Sequence, residues 1–132
     1  TRRDRGLQGG PTIAPGVLAL RMDASLTYIT APLMDRFIRE RLDQEPGLTV
    51  VLVCMSAVNA VDGTGTEMLA DLQTALHRRG VRLALSGAKK QVLDVLHRTG
   101  LAQQIGHDNL FVNNRDAIQA LRRSAPASSP QS

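Results

Sequence analysis

The chain reads as an α/β domain with a mixed, largely parallel β-sheet, and three observations point there. Val50, Val51, Leu52, Val53, Cys54 and Met55 form an unbroken apolar run, too short for a core helix and rich in β-branched residues, as in a strand covered on both faces. Strand-like runs then alternate with stretches of helical periodicity, a pattern met by parallel pairing through crossover helices. Near the start, two strand-like runs follow each other without a helix between them, which adds an antiparallel pair. The expected order is β-β-α-β-α-β-α-β-α, with about four helices packed on the sheet.

Taken in order, residues 1–14 are rich in Arg, Gly and Pro, lack periodicity, and read as a flexible lead-in or linker. Val17 to Leu20 form the first strand, Asp23 and Ala24 offer a tight turn, and Leu26 to Ile29 read as its hairpin partner. Thr30 is placed to cap a helix with Pro32 in its first turn and Leu33, Met34, Phe37, Ile38 and Leu42 on its inner face, ended by Pro46 and Gly47. The central strand follows. Thr64 and Glu67 then stand three apart, the spacing of a capping box, and Thr64 is the expected N-cap of a helix whose stripe is Met68, Leu69, Leu72, Ala75 and Leu76. His77, Arg78 and Arg79 suit the negative end of that helix dipole, and Gly80 supplies the stop.

Val81 to Leu85 make the next strand, and Ser86 and Gly87 lead to a helix with Val92, Leu93, Val95 and Leu96 inside and Gly100 as its stop. Leu110 to Val112 form a short strand, Asn113 or Asn114 can cap, and Ala117, Ile118 and Leu121 are the inward stripe of the last helix. The domain is thus expected over residues 15–123. Residues 124–132, SAPASSPQS, have the composition of a disordered tail.

A length of 132 residues with 42% hydrophobic composition suits one domain with an ordinary core. Aromatic residues make up only 2%, so base-stacking platforms are nearly absent and nucleic acid is not an expected partner. The single cysteine, Cys54, lies in the central strand and reads as a small apolar core residue; there is no disulfide framework. A net charge of +4 favours acidic partners, but the basic residues form no single dense run. No apolar run is long enough to span a membrane, and the isolated chain is expected to be soluble. It also lacks an initiator Met, as a piece of a longer protein would.

Catalytic machinery is not expected. Gly63 and Gly65 begin a G-x-G, but Met68 stands where a dinucleotide fingerprint needs its third Gly, and no Gly-Lys-Ser or Gly-Lys-Thr exists for a P-loop. His77, His97 and His107 are spaced unlike metal-ligand pairs, so no metal and no cofactor is expected. Asp62 is the best candidate for a functional carboxylate, although an aspartate before a Gly-rich turn more often bonds its own backbone. If the strands at 50–55 and 81–85 are neighbours, Asp62, Gly63, Thr64 and Gly65 should lie beside Ser86, Gly87, Lys89 and Lys90. Two helix N-termini and two ammonium groups there would attract an anion, either an acidic patch on a protein or the phosphate of a nucleotide, within a limit set by Asp62.

The segments PGVLALRMDASLTYITA, VDGTGTEMLADLQTALHRRGVRLALSG and VLHRTGLAQQIGHDNLFVNNRDAIQAL resemble a STAS domain, the sulphate transporter and anti-sigma-factor antagonist module. The more specific parts are Pro15-Gly16 followed by Arg21 and Asp23, the loop Asp62 to Gly65, and Arg98-Thr99-Gly100-Leu101 leading to Ile105-Gly106 and Phe111. The likeness is closer to the cytoplasmic C-terminal domain of sulphate-permease-type (SulP) anion transporters. It implies a STAS-like sheet and a non-catalytic regulatory role at the cytoplasmic face of a bacterial inner membrane. The membrane domain of the same transporter would be its partner, with homo-oligomers formed through the parent protein and sulphate, bicarbonate or a dicarboxylate as cargo. The alternative it implies is a free-standing anti-sigma antagonist or other partner-switching protein, and a nucleotide-binding module is a third reading compatible with either. In that branch the residue after the loop aspartate is a phosphorylated serine; here it is Gly63, which leaves Thr64 as the nearest phosphoacceptor.

Overall fold

The computed structural model describes residues 7–9 and 15–123. Its sheet has five strands in the order β1-β2-β3-β4-β5: β1 (Leu7–Gly9), β2 (Val17–Met22), β3 (Val50–Cys54), β4 (Arg82–Ser86) and β5 (Leu110–Phe111). The helices are α1 (Ala31–Gln44), α2 (Gly63–Arg78), α3 (Lys90–Arg98), α4 (Leu101–Ile105) and α5 (Asn114–Arg123), with a turn of 3₁₀ helix over His107–Asn109. β2 to β5 run parallel, with Val50 opposite both Val17 and Arg82, and Ser86 opposite both Cys54 and Phe111. The mixed, largely parallel α/β sheet expected from the sequence is therefore present.

The antiparallel pair is present, but with a different partner. β1 comes from the stretch read as a lead-in, and pairs Leu7 with Met22 and Gly9 with Leu20. Leu26 to Ile29 is not a strand: only Leu26 bridges, in parallel, to Val61, and the chain turns at Tyr28 to Thr30 directly into α1. The reason lies in Leu26 itself, which is fully buried and brings with it a backbone whose N–H reaches Ala60 O at 3.0 Å. The remaining lead-in residues and the tail at 124–132 lie outside the described residues.

The two sheet faces are covered unequally. Leu18, Leu20, Met22, Val51, Val53, Leu83 and Leu85 meet α1, α2, α3 and α4 in the main core. On the opposite face, among the described residues, Val17, Leu52 and Ala84 form a smaller cluster with Ala117 and Leu121 of α5, against which Val50, Phe111 and Ile118 pack. Completely burying one such aliphatic side chain stabilises by about 1.5–3 kcal/mol, so the first face carries most of the hydrophobic contribution.

Two caps differ from expectation. The N-cap of α2 is Asp62, in extended conformation, with its side chain accepting from Gly65 N–H; Thr64 lies inside the first turn. An ionised carboxylate two residues upstream reaches the orphan N–H first and suits the positive end of the dipole. Thr30 does precede α1, but its hydroxyl makes no cap bond. It donates to Ser25 O at 2.6 Å, while Thr27 Oγ1 accepts from Ile29 N–H and Thr30 N–H in the preceding turn.

Candidate functional site

In a parallel sheet the loops leaving the carboxyl ends of the strands share one edge. Here they are the loops after β2, β3 and β4. The long β3–α2 loop, residues 55–62, runs along this edge and touches both neighbours in turn.

Its first half meets the β4–α3 loop. Met55 N–H donates to Ser86 O at 2.7 Å, and Gly87, with φ of +72°, lies against Ser56, where an added Cβ would sit 3.3 Å from the serine Cβ. Lys89 Nζ donates to Asn59 Oδ1, and Gln91 Nε2 reaches Asn59 O at 3.4 Å. The second half meets the β2–α1 loop. Asp62 N–H donates to Leu26 O at 3.1 Å, and Tyr28 N–H donates to Asp62 Oδ2 at 3.2 Å.

Gly65 explains how α2 comes so near. A Cβ there would lie 2.4 Å from Leu26 O, so only glycine lets the helix approach that carbonyl. Gly63, by contrast, faces open space. The two glycines of the G-x-G thus do different things, one packing a helix against a backbone and the other leaving the start of α2 exposed.

β3 and β4 are neighbours, which meets the condition set by the sequence; Asp62 and Gly65 contact Leu26 and Tyr28, while Ser86, Gly87 and Lys89 contact Met55, Ser56 and Asn59. The charges are also largely engaged. Lys90 Nζ is 3.2 Å from Asp94 Oδ2, Lys89 is held by Asn59, and Asp62 spends both carboxylate oxygens on backbone N–H groups. Ser86 is fully buried and its hydroxyl donates to Asn114 Oδ1, so it braces the start of α5 instead of facing a partner. Thr64 is exposed, and no hydrogen bond of its hydroxyl occurs among the described residues.

Two residues that sequence reasoning placed in a strand stand out on this edge. Tyr28 and Ile29 are 66% and 61% exposed, next to the Asp62 carboxylate. Their signal in the sequence, an aromatic and a β-branched residue together, is the same one that marks a strand. Beside α2's first turns, a groove of about 500 Å³ is lined by Asp62, Glu67, Val95, Arg98, Thr99 and Gln104. Among the described residues there is no group of three or more His, Cys, Asp or Glu that could hold a metal ion.

The remaining marked residues are corners of the fold. Gly16, with φ of +80°, offers its carbonyl to Thr49 N–H and Val50 N–H and so sets the β2–β3 register. Arg21 Nε lies 2.7 Å from Asp23 Oδ1, an ion pair by distance that lacks the alignment of a hydrogen bond. Thr99 Oγ1 donates to Val95 O at 2.8 Å, and Gly100, with φ of +84°, turns the chain from α3 into α4, where Leu101 is buried.

The model of the STAS domain family matches residues 11–117. The chain belongs to the STAS domain family. A protein named as a probable sulfate transporter of Mycobacterium tuberculosis is 34% identical over 110 residues, which cover 83% of this chain and 20% of that one. The STAS domain thus spans about a fifth of the length of the curated sulfate transporters it matches. Among solved structures, a sulfate transporter family protein from Wolinella succinogenes superposes with a TM-score of 0.73 at 24% identity, over 83% of this chain and 88% of that one. The anti-sigma factor antagonist SpoIIAA, in its unphosphorylated form, gives a TM-score of 0.71 at 15% identity, over 89% of this chain and 96% of that one. Both structures share the fold. Among the described residues no helix is long and apolar enough to cross a membrane.

Proposed function

We propose that this STAS domain is the non-catalytic regulatory module of a sulphate-permease-type anion transporter, held at the cytoplasmic face and working through contact with the membrane domain of the same protein. The observation that carries this reading is the 34% identity to a protein named as a probable sulfate transporter, about five times the length of the match. The edge described above supplies the contact. Tyr28 and Ile29 present adjacent exposed apolar surface there, and the loop beneath them is pinned by Leu26 and Asp62. Regulation then needs no covalent step: displacement of the β2–α1 loop would pass directly to the start of α2.

Gly63 speaks against partner switching by phosphorylation at the position after the loop aspartate, because it has no hydroxyl. A phosphate or nucleotide at the start of α2 would face the Asp62 carboxylate and Glu67, a poor electrostatic match. The test is reconstitution of the full parent protein in liposomes, with uptake of sulphate, bicarbonate and a dicarboxylate measured with and without this domain. Uptake of one of these anions at a rate that depends on the domain is expected. A parent protein without hydrophobic spans, or transport indifferent to the domain, would overturn the reading.

A further inference from the structure

Asp62 belongs to two surfaces at once. Its Oδ2 accepts from Tyr28 N–H, beneath the exposed Tyr28 and Ile29, and it also lines the groove of about 500 Å³ between the first turns of α2 and the end of α3. The exposed apolar pair and the groove are therefore one continuous face. Inside the groove, buried Val61 and Leu101 and half-buried Ala70 and Val95 supply an apolar lining. The hydroxyls there are already spent on backbone carbonyls: Thr66 Oγ1 donates to Asp62 O at 3.0 Å, and Thr99 Oγ1 to Val95 O at 2.8 Å. What is left for a partner is charge. Glu67 on the α2 wall and Arg98 on the opposite wall are both exposed, and among the described residues neither side chain has a hydrogen-bond or ion-pair partner. Asp71, one turn on from Glu67, is exposed and unpartnered in the same way, so a chain of net charge +4 turns an acidic helix side toward this groove.

We infer that this face takes a cytoplasmic loop of the membrane domain in which Lys or Arg stands beside apolar residues. The inference rests on the transporter reading proposed above and specifies the chemistry of its partner. Cytoplasmic loops of membrane proteins carry an excess of Lys and Arg, so the segments within reach of a domain held there are basic, and a domain of net charge +4 repels them overall. The α2 side of the groove attracts them instead. Basic side chains of the loop lie along Asp62, Glu67 and Asp71, while its apolar ones cover Val61, Ala70 and Leu101 and meet Tyr28 and Ile29. Arg98 confines the cations to the α2 side and so fixes the direction in which the loop runs. An anionic bilayer surface has the same sign as the α2 wall and is the poorer occupant.

The test follows the backbone amides of the 132-residue chain by NMR. Three acetylated and amidated hexapeptides serve as probes: Leu-Lys-Leu-Leu-Lys-Leu, its counterpart with Glu for Lys, and its counterpart with Ser for Leu. The first is expected to bind at submillimolar concentration and to shift Tyr28, Ile29, residues 62–71 and residues 95–99, with an affinity that falls as salt rises. Glu67→Lys should weaken it about fivefold, whereas Glu40→Lys, the same charge change at an exposed position of α1 outside the groove, should leave it nearly unchanged. Equal losses in the two variants would show that only net charge matters and would overturn the inference. So would equal shifts of these amides by the Glu peptide or the Ser peptide, or no shift by the Lys peptide at millimolar concentration. The shifts in the unaltered chain decide the matter even if a variant fails to fold. This test and the liposome assay fail separately. Uptake that depends on the domain, with a groove indifferent to the Lys peptide, overturns this inference and leaves the transporter reading standing. Peptide binding by a chain whose parent lacks hydrophobic spans overturns that reading, and with it the membrane-domain loop as occupant.

Discussion

Asp62 joins two loops and a helix through one residue. Oδ1 accepts from Gly65 N–H at 2.7 Å, Oδ2 from Tyr28 N–H at 3.2 Å, and its backbone O from Thr66 N–H at 2.9 Å. Loss of a helix N-cap costs about 0.5–2 kcal/mol, and a loss within that range is expected for Asp62→Ala in denaturant unfolding, since the exposed Tyr28 N–H that also bonds Asp62 can turn to water. Asp62→Asn keeps one acceptor oxygen and should lose less. Thr64→Ala should stay within about 0.5 kcal/mol of the unaltered chain, as for an exposed position with no structural bond. A larger loss at Thr64 than at Asp62 would return the cap to Thr64. The sequence contains the spacing of a capping box at Thr64 and Glu67, and that spacing misleads because Asp62, which reads as a functional carboxylate or a turn former, is the competing cap.

At the scale of elements, α2 packs against the β2–α1 loop through Gly65 and leaves Gly63 free. Gly65→Ala must push its Cβ away from Leu26 O, and overpacking of this kind costs about 1–3 kcal/mol or more. Gly63→Ala meets nothing within 4 Å and should be neutral or stabilising by up to about 1 kcal/mol, from helix propensity. Thermal unfolding of the two variants separates them; equal effects would mean that the close approach is not a constraint. The helices with long stripes were legible in the sequence because their periodicity and stop glycines agree: Gly80 and Gly100 both adopt positive φ at the ends of α2 and α3. α4 was not, since five residues between Gly100 and Gly106 are too few to show a period. Nor was β1, a three-residue strand whose partner is chosen by the sheet edge and not by its own composition. Leu26 to Ile29 had the composition of a strand, but the burial of Leu26 and its bridge to Val61 turned it into a strap across the carboxyl edge.

For the whole molecule, the decisive question is what meets the edge where Tyr28 and Ile29 stand. The alternation of strands and helices could be read from the sequence, and β3 and β4 are neighbours, the condition on which the placing of Asp62 to Gly65 beside Ser86 to Lys90 rested; the β3–α2 loop of residues 55–62 bonds to the β4–α3 loop through Asn59 and to the β2–α1 loop through Asp62. The edge presents an exposed surface of mixed character, apolar at Tyr28 and Ile29 and acidic at Asp62, with Lys89 beside Asn59. If, on the proposed reading, a transporter's membrane domain docks there, Tyr28→Asp combined with Ile29→Asp should alter that transporter's anion uptake severalfold. The same pair should leave the unfolding free energy of the STAS domain within about 1 kcal/mol, because exposed positions contribute little to folding. Lys89→Glu with Lys90→Glu should do less to uptake, since those ammonium groups already face Asn59 and Asp94. Uptake unchanged by the first pair but reduced by the second would move the contact to the β4–α3 loop and make it electrostatic, with a dependence on salt that an apolar contact at Tyr28 and Ile29 would lack.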